Sequence, residues 1–172
     1  MTVVLACPSW CDVHVNPDPT EPEHGGSHYG VAQRVPLSRE VTRRPPEPVM
    51  FVQLFGYDHA GSRDSMIDLV LPTKLHVELT AAQARAVAEA VIAAADVCGA
   101  APGAVSEKFG VDIHDPFDFP VQVQPVGPAG ADDIAYVELL LRHRYSAELT
   151  EAEARICAAN LLNSAELLDA VE

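Results

Sequence analysis

Eight prolines fall within the first 48 residues: Pro8, Pro17, Pro19, Pro22, Pro36, Pro45, Pro46 and Pro48. Each ring removes a backbone donor and clashes with the preceding turn, so a long helix cannot form there. The same stretch holds Cys7, Cys11, His14, His24 and His28. It reads as an irregular Pro-rich arm with a compact knot near its start. The run Arg43-Arg44-Pro45-Pro46-Glu47-Pro48 reads as an extended linker. A chain of 172 residues is one ordinary domain or two very small ones. The expected division is an arm and linker over 1–48, a first unit over 49–99 and a second over 100–172. Residues 49–172 are expected to form one domain.

From Met50 the pattern changes. Met50–Tyr57 is rich in aromatic and branched residues and predicts a strand. Asp58–Asp64 reads as a turn, Met66–Leu71 as a second strand and His76–Leu79 as a short third. Thr80 followed by Gln83 is a capping box. It opens a helix over Ala81–Val97 whose seam is Ala84, Val87, Ala88, Val91, Ala94 and Ala95, with Gly99 and Pro102 as its stop.

The second half repeats this order. Glu78–Arg85 (ELTAAQAR) aligns with Glu148–Arg155 (ELTEAEAR) at an offset of 70, and Thr150 with Glu153 is again a capping box. Strand-like runs at Pro120–Val123 and Ile134–Leu141 precede the second helix. The expected fold is α+β: duplicated strand-strand-strand-helix units forming one mostly antiparallel sheet, with both helices on one face and the arm attached.

The residues with most chemistry are Cys7-Pro8-Ser9-Trp10-Cys11-Asp12-Val13-His14, then His24 and His28. Zinc takes four soft or borderline ligands in tetrahedral geometry. Cys-x3-Cys-x2-His supplies three in one tight loop, and His28, or His24 in its place, supplies a fourth. An arm poor in apolar residues needs a staple to be ordered, which a structural zinc ion provides. The rival reading is a pair of buried thiols beside Trp10 with surface histidines.

The motif Cys-Pro-x-Trp-Cys, a nearby His, a His-x-Gly (His28 with Gly30, or His24 with Gly26) and the later Leu79-Thr80-Ala81-Ala82-Gln83-Ala84-Arg85 resembles an uncharacterised domain family of actinobacteria. The resemblance covers about residues 7–96, and residues 100–172 look like an added second copy. It implies a fold unit and a knot, and no activity.

Other pairings are weaker. Asp58-His59 with Asp64, and Asp112, His114, Asp115 and Asp118, suit acid–base chemistry but also suit ordinary polar loops. Cys98 and Cys157 read as small buried residues. Arg85 and Arg155 match across the repeat and read as partners for nearby carboxylates. No Gly-rich phosphate turn, nucleophile elbow or HExxH is present.

Eleven Lys and Arg against 25 Asp and Glu give a net charge of −14. Such a chain repels phosphate backbones and anionic membrane surfaces, so neither is an expected partner. No apolar run is long enough to cross a bilayer, and Met1–Ala6 is too short for a signal-peptide core. The expected compartment is the cytoplasm, where the thiols stay reduced. The leading expectation is a non-enzymatic, zinc-stapled interaction or regulatory module whose partner is another protein. The alternatives are a metal-dependent hydrolase, and an acidic decoy for a basic protein, for which Glu148, Glu151, Glu153, Glu166, Asp169 and Glu172 crowd the last segment.

Overall fold

In this computed structural model, residues 5–17, 24–38, 49–59, 61–72, 74–100, 111–114, 120–130, 133–141 and 145–170 are described. The spine of the first half is a long antiparallel hairpin of β4 (Val49–His59) and β5 (Ser62–Val70). Met50, Val52 and Leu54 alternate inward along β4, and Ile67 and Leu69 along β5, the period that a sheet with one buried face requires. The hairpin closes between His59 and Ser62, where Gly61 has φ 88°, a left-handed conformation that glycine takes without steric cost. The expected turn over Asp58–Asp64 is therefore much shorter, and Asp58, Arg63 and Asp64 belong to strands.

β5 pairs onward with β6 (His76–Leu79). On its other edge β4 is shared. β2 (His24–Tyr29) pairs with its C-terminal half and β3 (Gln33–Pro36) with its N-terminal half, while β1 (Val13–Val15) lies outside β2. The segment expected to be irregular thus adds three strands to this six-stranded sheet. Among the described residues, Pro8 and Pro17 lie outside the strands and Pro36 ends β3, so these rings do not interrupt a ladder.

A second, four-stranded sheet runs in the order β10-β9-β8-β7, from Tyr145–Leu149, Tyr136–Leu141, Pro120–Val126 and Val111–His114. The offset of 70 seen in the helix starts also aligns the strand pairing. Ile67 faces Leu79 and Leu69 faces Val77 in the first sheet; Val137 faces Leu149 and Leu139 faces Ala147 in the second.

The α+β expectation holds, with two helices and mostly antiparallel strands. The strands divide between two sheets instead of sharing one. The edge of β4 at which a second unit would have joined is taken by β2 and β3. The helices link the sheets. α1 (Ala81–Ala100) follows the first sheet but packs mainly on β7, β8 and β9. α2 (Glu151–Asp169) follows the second sheet but packs on β3, β4 and β5. The expected α1 seam is buried in full. α1 runs one residue past Gly99, and Pro102 lies outside the described residues.

Both capping boxes form. Gln83 N–H donates to Thr80 Oγ1 at 3.2 Å and Thr80 N–H to Gln83 Oε1 at 2.9 Å. Glu153 N–H donates to Thr150 Oγ1 at 3.3 Å and Thr150 N–H to Glu153 Oε2 at 2.8 Å. Glu153 does more than its counterpart, because its other oxygen accepts from Ser38 N–H at 2.7 Å and ties α2 to the end of β3. Gln33 adds a second tie, donating to Ser164 Oγ at 2.9 Å.

The helices pack antiparallel, and both bury several alanines, small side chains that permit close approach. Arg85 at the start of α1 pairs with Asp169 at the end of α2. Arg155 at the start of α2 reaches Asp96 at 2.8 Å and Glu151 at 2.9 Å. Three of the carboxylates considered for a decoy surface (Glu151, Glu153 and Asp169) are thus engaged within the fold, and Glu172 lies outside the described residues.

Candidate metal centre

The inward face of the first sheet changes character toward the hairpin tip. After Met50, Val52 and Leu54, the next inward positions of β4 are Gly56 and Asp58. Gly56 pairs with His28 of β2, which pairs with His14 of β1. Cross-strand partners share a face, so both imidazoles stand on the side that buries the core. Their rings meet edge to face with centroids 4.5 Å apart.

A turn covers this corner. Cys11 N–H donates to Pro8 O at 3.0 Å, and Asp12 N–H to Tyr29 O at 2.8 Å. This fixes Cys7–Cys11 against β2. Trp10 is 8% exposed, and its ring lies where a Cβ on residue 56 would be, with Cη2 at 2.9 Å from that point. Only glycine leaves room for this approach.

The turn aims both sulfurs at His28. The ligand atoms of Cys7, Cys11 and His28 all lie within 4.8 Å of one another, and the group could hold a metal ion. His14 adjoins them, with its Nδ1 3.1 Å from Cys7 Sγ. Burial, and then the Cys7 sulfur beside it, push the Cys11 thiol above its ordinary pKa, the direction that a bound cation reverses. Cys11 donates weakly to Val13 O at 3.4 Å.

His28 is fully buried. Its Nε2 lies 3.1 Å from Asp58 Oδ2 and 2.9 Å from Arg63 Nη2. Arg63 holds Asp58 at both oxygens, from Nε at 2.6 Å and from Nη2 at 3.0 Å, and donates from Nη1 to Ala6 O at 2.9 Å. Burial opposes ionisation of Asp58, but the Arg63 and His28 hydrogen bonds outweigh it and hold its pKa below the ordinary value. The other ring nitrogen, His28 Nδ1, is buried with no hydrogen-bond partner among the described residues. If Nε2 carries the proton and donates to Asp58, Nδ1 presents a bare lone pair, the form in which a metal takes imidazole.

Of the expected ligands, Cys7, Cys11 and His28 converge and His14 stands against them. His24 opens β2 opposite His59, and its side chain lies outside the described residues. Asp58 joins the centre through His28. Its sequence neighbour His59 is exposed, and Asp64 is exposed on the opposite face. The side chains of Asp112 and His114, and Asp115 and Asp118 altogether, lie outside the described residues. Cys98 is half-buried, and burial raises its pKa. Cys157 is wholly buried, and its thiol is pushed up to about 12, which makes it inert.

Reading the sequence alone missed Asp58 as a support for His28 and missed Arg63 altogether. The signal was present as a period of two: extending Met50, Val52 and Leu54 by two further inward steps reaches Gly56 and Asp58.

Among the described residues, no helix is long and apolar enough to cross a membrane. No curated protein and no solved structure matches the chain. The model of one family matches residues 1–107, which include the knot, the first sheet and α1. The chain belongs to the family described as Domain of unknown function (DUF6907).

Proposed function

We propose that this chain is a zinc-stapled interaction or regulatory module, with Cys7, Cys11, His14 and His28 as the ligands. The observation that carries the reading is the convergence of two sulfurs on a fully buried histidine whose Nδ1 has no hydrogen-bond partner among the described residues. Two thiolates and imidazole form a donor set that favours zinc over hard cations. In tetrahedral zinc a sulfur and a nitrogen ligand stand about 3.5 Å apart, and Cys7 Sγ and His14 Nδ1 are separated by 3.1 Å. Asp58 is the outer carboxylate of this reading, a common companion of zinc-bound histidine; the reading requires His28 Nε2 to donate to Asp58 and not to accept from Arg63 Nη2, which also faces it at 2.9 Å. Four protein ligands close the coordination sphere and make the ion structural.

The ion anchors an N-terminal segment whose strands are short and carry few apolar side chains. The segment in turn completes the sheet on which α2 packs. The partner on this reading is another protein, met in a reducing compartment such as the cytoplasm. A hydrolase is the second reading. It draws on a cleft of about 410 Å³ that reaches Ala6, Arg63, Ser62 and Ser65, and it requires one coordination position held by water.

Trp10 is the only tryptophan, and it lies within the knot. Untagged protein should retain about one equivalent of zinc. Chelation should shift Trp10 emission to the red, and restored zinc should shift it back. Protein that retains no zinc and whose emission ignores chelation overturns the staple. A zinc-bound water in place of His14 favours the hydrolase.

A further inference from the structure

The outer face of the first sheet carries a second group of metal-ligating side chains. Asp68 of β5 faces Glu78 of β6 directly, and His76 stands two residues before Glu78 on the same face. Their ligand atoms lie within 4.8 Å of one another. His76 Nδ1 is 3.6 Å from Asp68 Oδ2. That is too long for a good hydrogen bond, but it is close to the ~3.3 Å between nitrogen and oxygen ligands of one tetrahedral zinc ion.

Asp68 is the unusual member. Its side chain is only 13% exposed, and Oδ1 is buried without a hydrogen-bond partner among the described residues. The cross-strand neighbour Gln53 sends its amide to Gly30 O at 2.7 Å. Burial raises the Asp68 pKa, with His76 opposing. An orphaned carboxylate oxygen on a sheet face is costly, and a cation held between Asp68, Glu78 and His76 would satisfy it. The His76 side chain is half exposed, so the ring is free to close on an ion.

We propose that Asp68, His76 and Glu78 form a second divalent-metal site on the outer face of the first sheet. One imidazole with two carboxylates suits zinc or a similar borderline cation better than calcium or magnesium. Three protein ligands leave a position open toward solvent, unlike the thiolate centre, so this ion would exchange readily and accept an outside ligand. The two sites share no residue, and this one stands whether or not the first holds zinc.

Cobalt distinguishes them, because only thiolate-bound cobalt shows sulfur-to-metal charge-transfer absorption. Metal-free full-length chain, kept reduced, is titrated with cobalt and then, by equilibrium dialysis, with zinc. A second equivalent should bind without charge-transfer absorption. His76→Ala should weaken that equivalent at least tenfold, and Glu78→Gln should weaken it in the same direction. Both should leave the charge-transfer band intact. Cys7→Ser with Cys11→Ser should abolish the band and spare the other equivalent. His76 lies on the surface, so its loss leaves folding unchanged, which circular dichroism checks. The absence of any equivalent bound without charge-transfer absorption, or one that His76→Ala and Glu78→Gln leave unchanged, overturns the proposal.

Discussion

The two sheets share a ladder register and a capped helix, yet among the described residues only the first carries a Cys/His group that could hold a metal ion. The difference lies at the hairpin tip. In the second half, β8 stops at Val126 and β9 starts at Tyr136, the counterpart of Met66 at the offset of 70. In the first half, the strands continue to His59 and from Ser62. That extra length presents Gly56, Asp58 and Arg63, and β2 and β1 pair beside it to add His28 and His14. The shared part is aliphatic packing; the chemistry sits on an extension of one copy. Sites commonly arise this way, placed on a frame that is stable without them.

If the two halves share one frame, matching core positions carry matching loads. Leu69 and Leu139 occupy matching positions and are both fully buried. Truncating either to alanine should cost about 2–5 kcal/mol in denaturant unfolding. The two losses should agree within about 1 kcal/mol, and a larger gap would show that the halves carry unequal loads.

Removing zinc should separate the halves. At a thousandfold excess over its dissociation constant, a ligand bound only to the folded state stabilises it by about 4 kcal/mol. Chelation should therefore lower the melting temperature. Hydrogen exchange should rise first in β1 and β2, while β8 and β9 stay protected. Uniform loss of protection in both sheets would contradict a local staple.

The two helix caps differ in what they hold. Gln83→Ala removes a surface cap partner and should cost about 0.5–1 kcal/mol. Glu153→Ala also strands the Ser38 N–H and should cost about 1–3 kcal/mol. Equal costs in urea melts would remove any anchoring role for Glu153.

The smallest effect is in pH dependence. Burial works against ionised Glu153, yet hydrogen bonds from Ser38 and Thr150 hold its pKa below the ordinary value, and Asp58 is shifted the same way. A carboxylate with a lowered folded-state pKa contributes stability above its unfolded pKa and loses it as pH falls through the folded value. Urea midpoints should therefore drop below the ordinary carboxylate range, less steeply in Glu153→Gln. Asp68, whose pKa is raised, has the opposite sign: in metal-free protein its contribution is present at low pH and lost as pH rises.

The local features were legible in sequence. Capping boxes and helical seams depend on spacings of three and four, and both boxes and the α1 seam are as expected. The Cys/His group was legible because few side chains combine softness with such close spacing. Long-range choices were not. β2 is His-Gly-Gly-Ser-His-Tyr, with no apolar alternation, and is a strand because the β4 edge accepts it. Asp58–Asp64 has the composition of a loop, and the pairing of Tyr57, Asp58 and His59 with Asp64, Arg63 and Ser62 makes its flanks strand. Both sheets offer helices similar aliphatic faces, so the placement of α1 on the second sheet and α2 on the first could not be read from either helix.

On the proposed reading, Cys7, Cys11, His14 and His28 hold one zinc ion. X-ray absorption at the zinc edge, on untagged protein carrying one equivalent, tests it most directly. Two sulfur neighbours at about 2.3 Å and two nitrogen neighbours at about 2.0 Å are expected. A shell of oxygen and nitrogen alone, or a sample that keeps no zinc under reducing conditions, would contradict it.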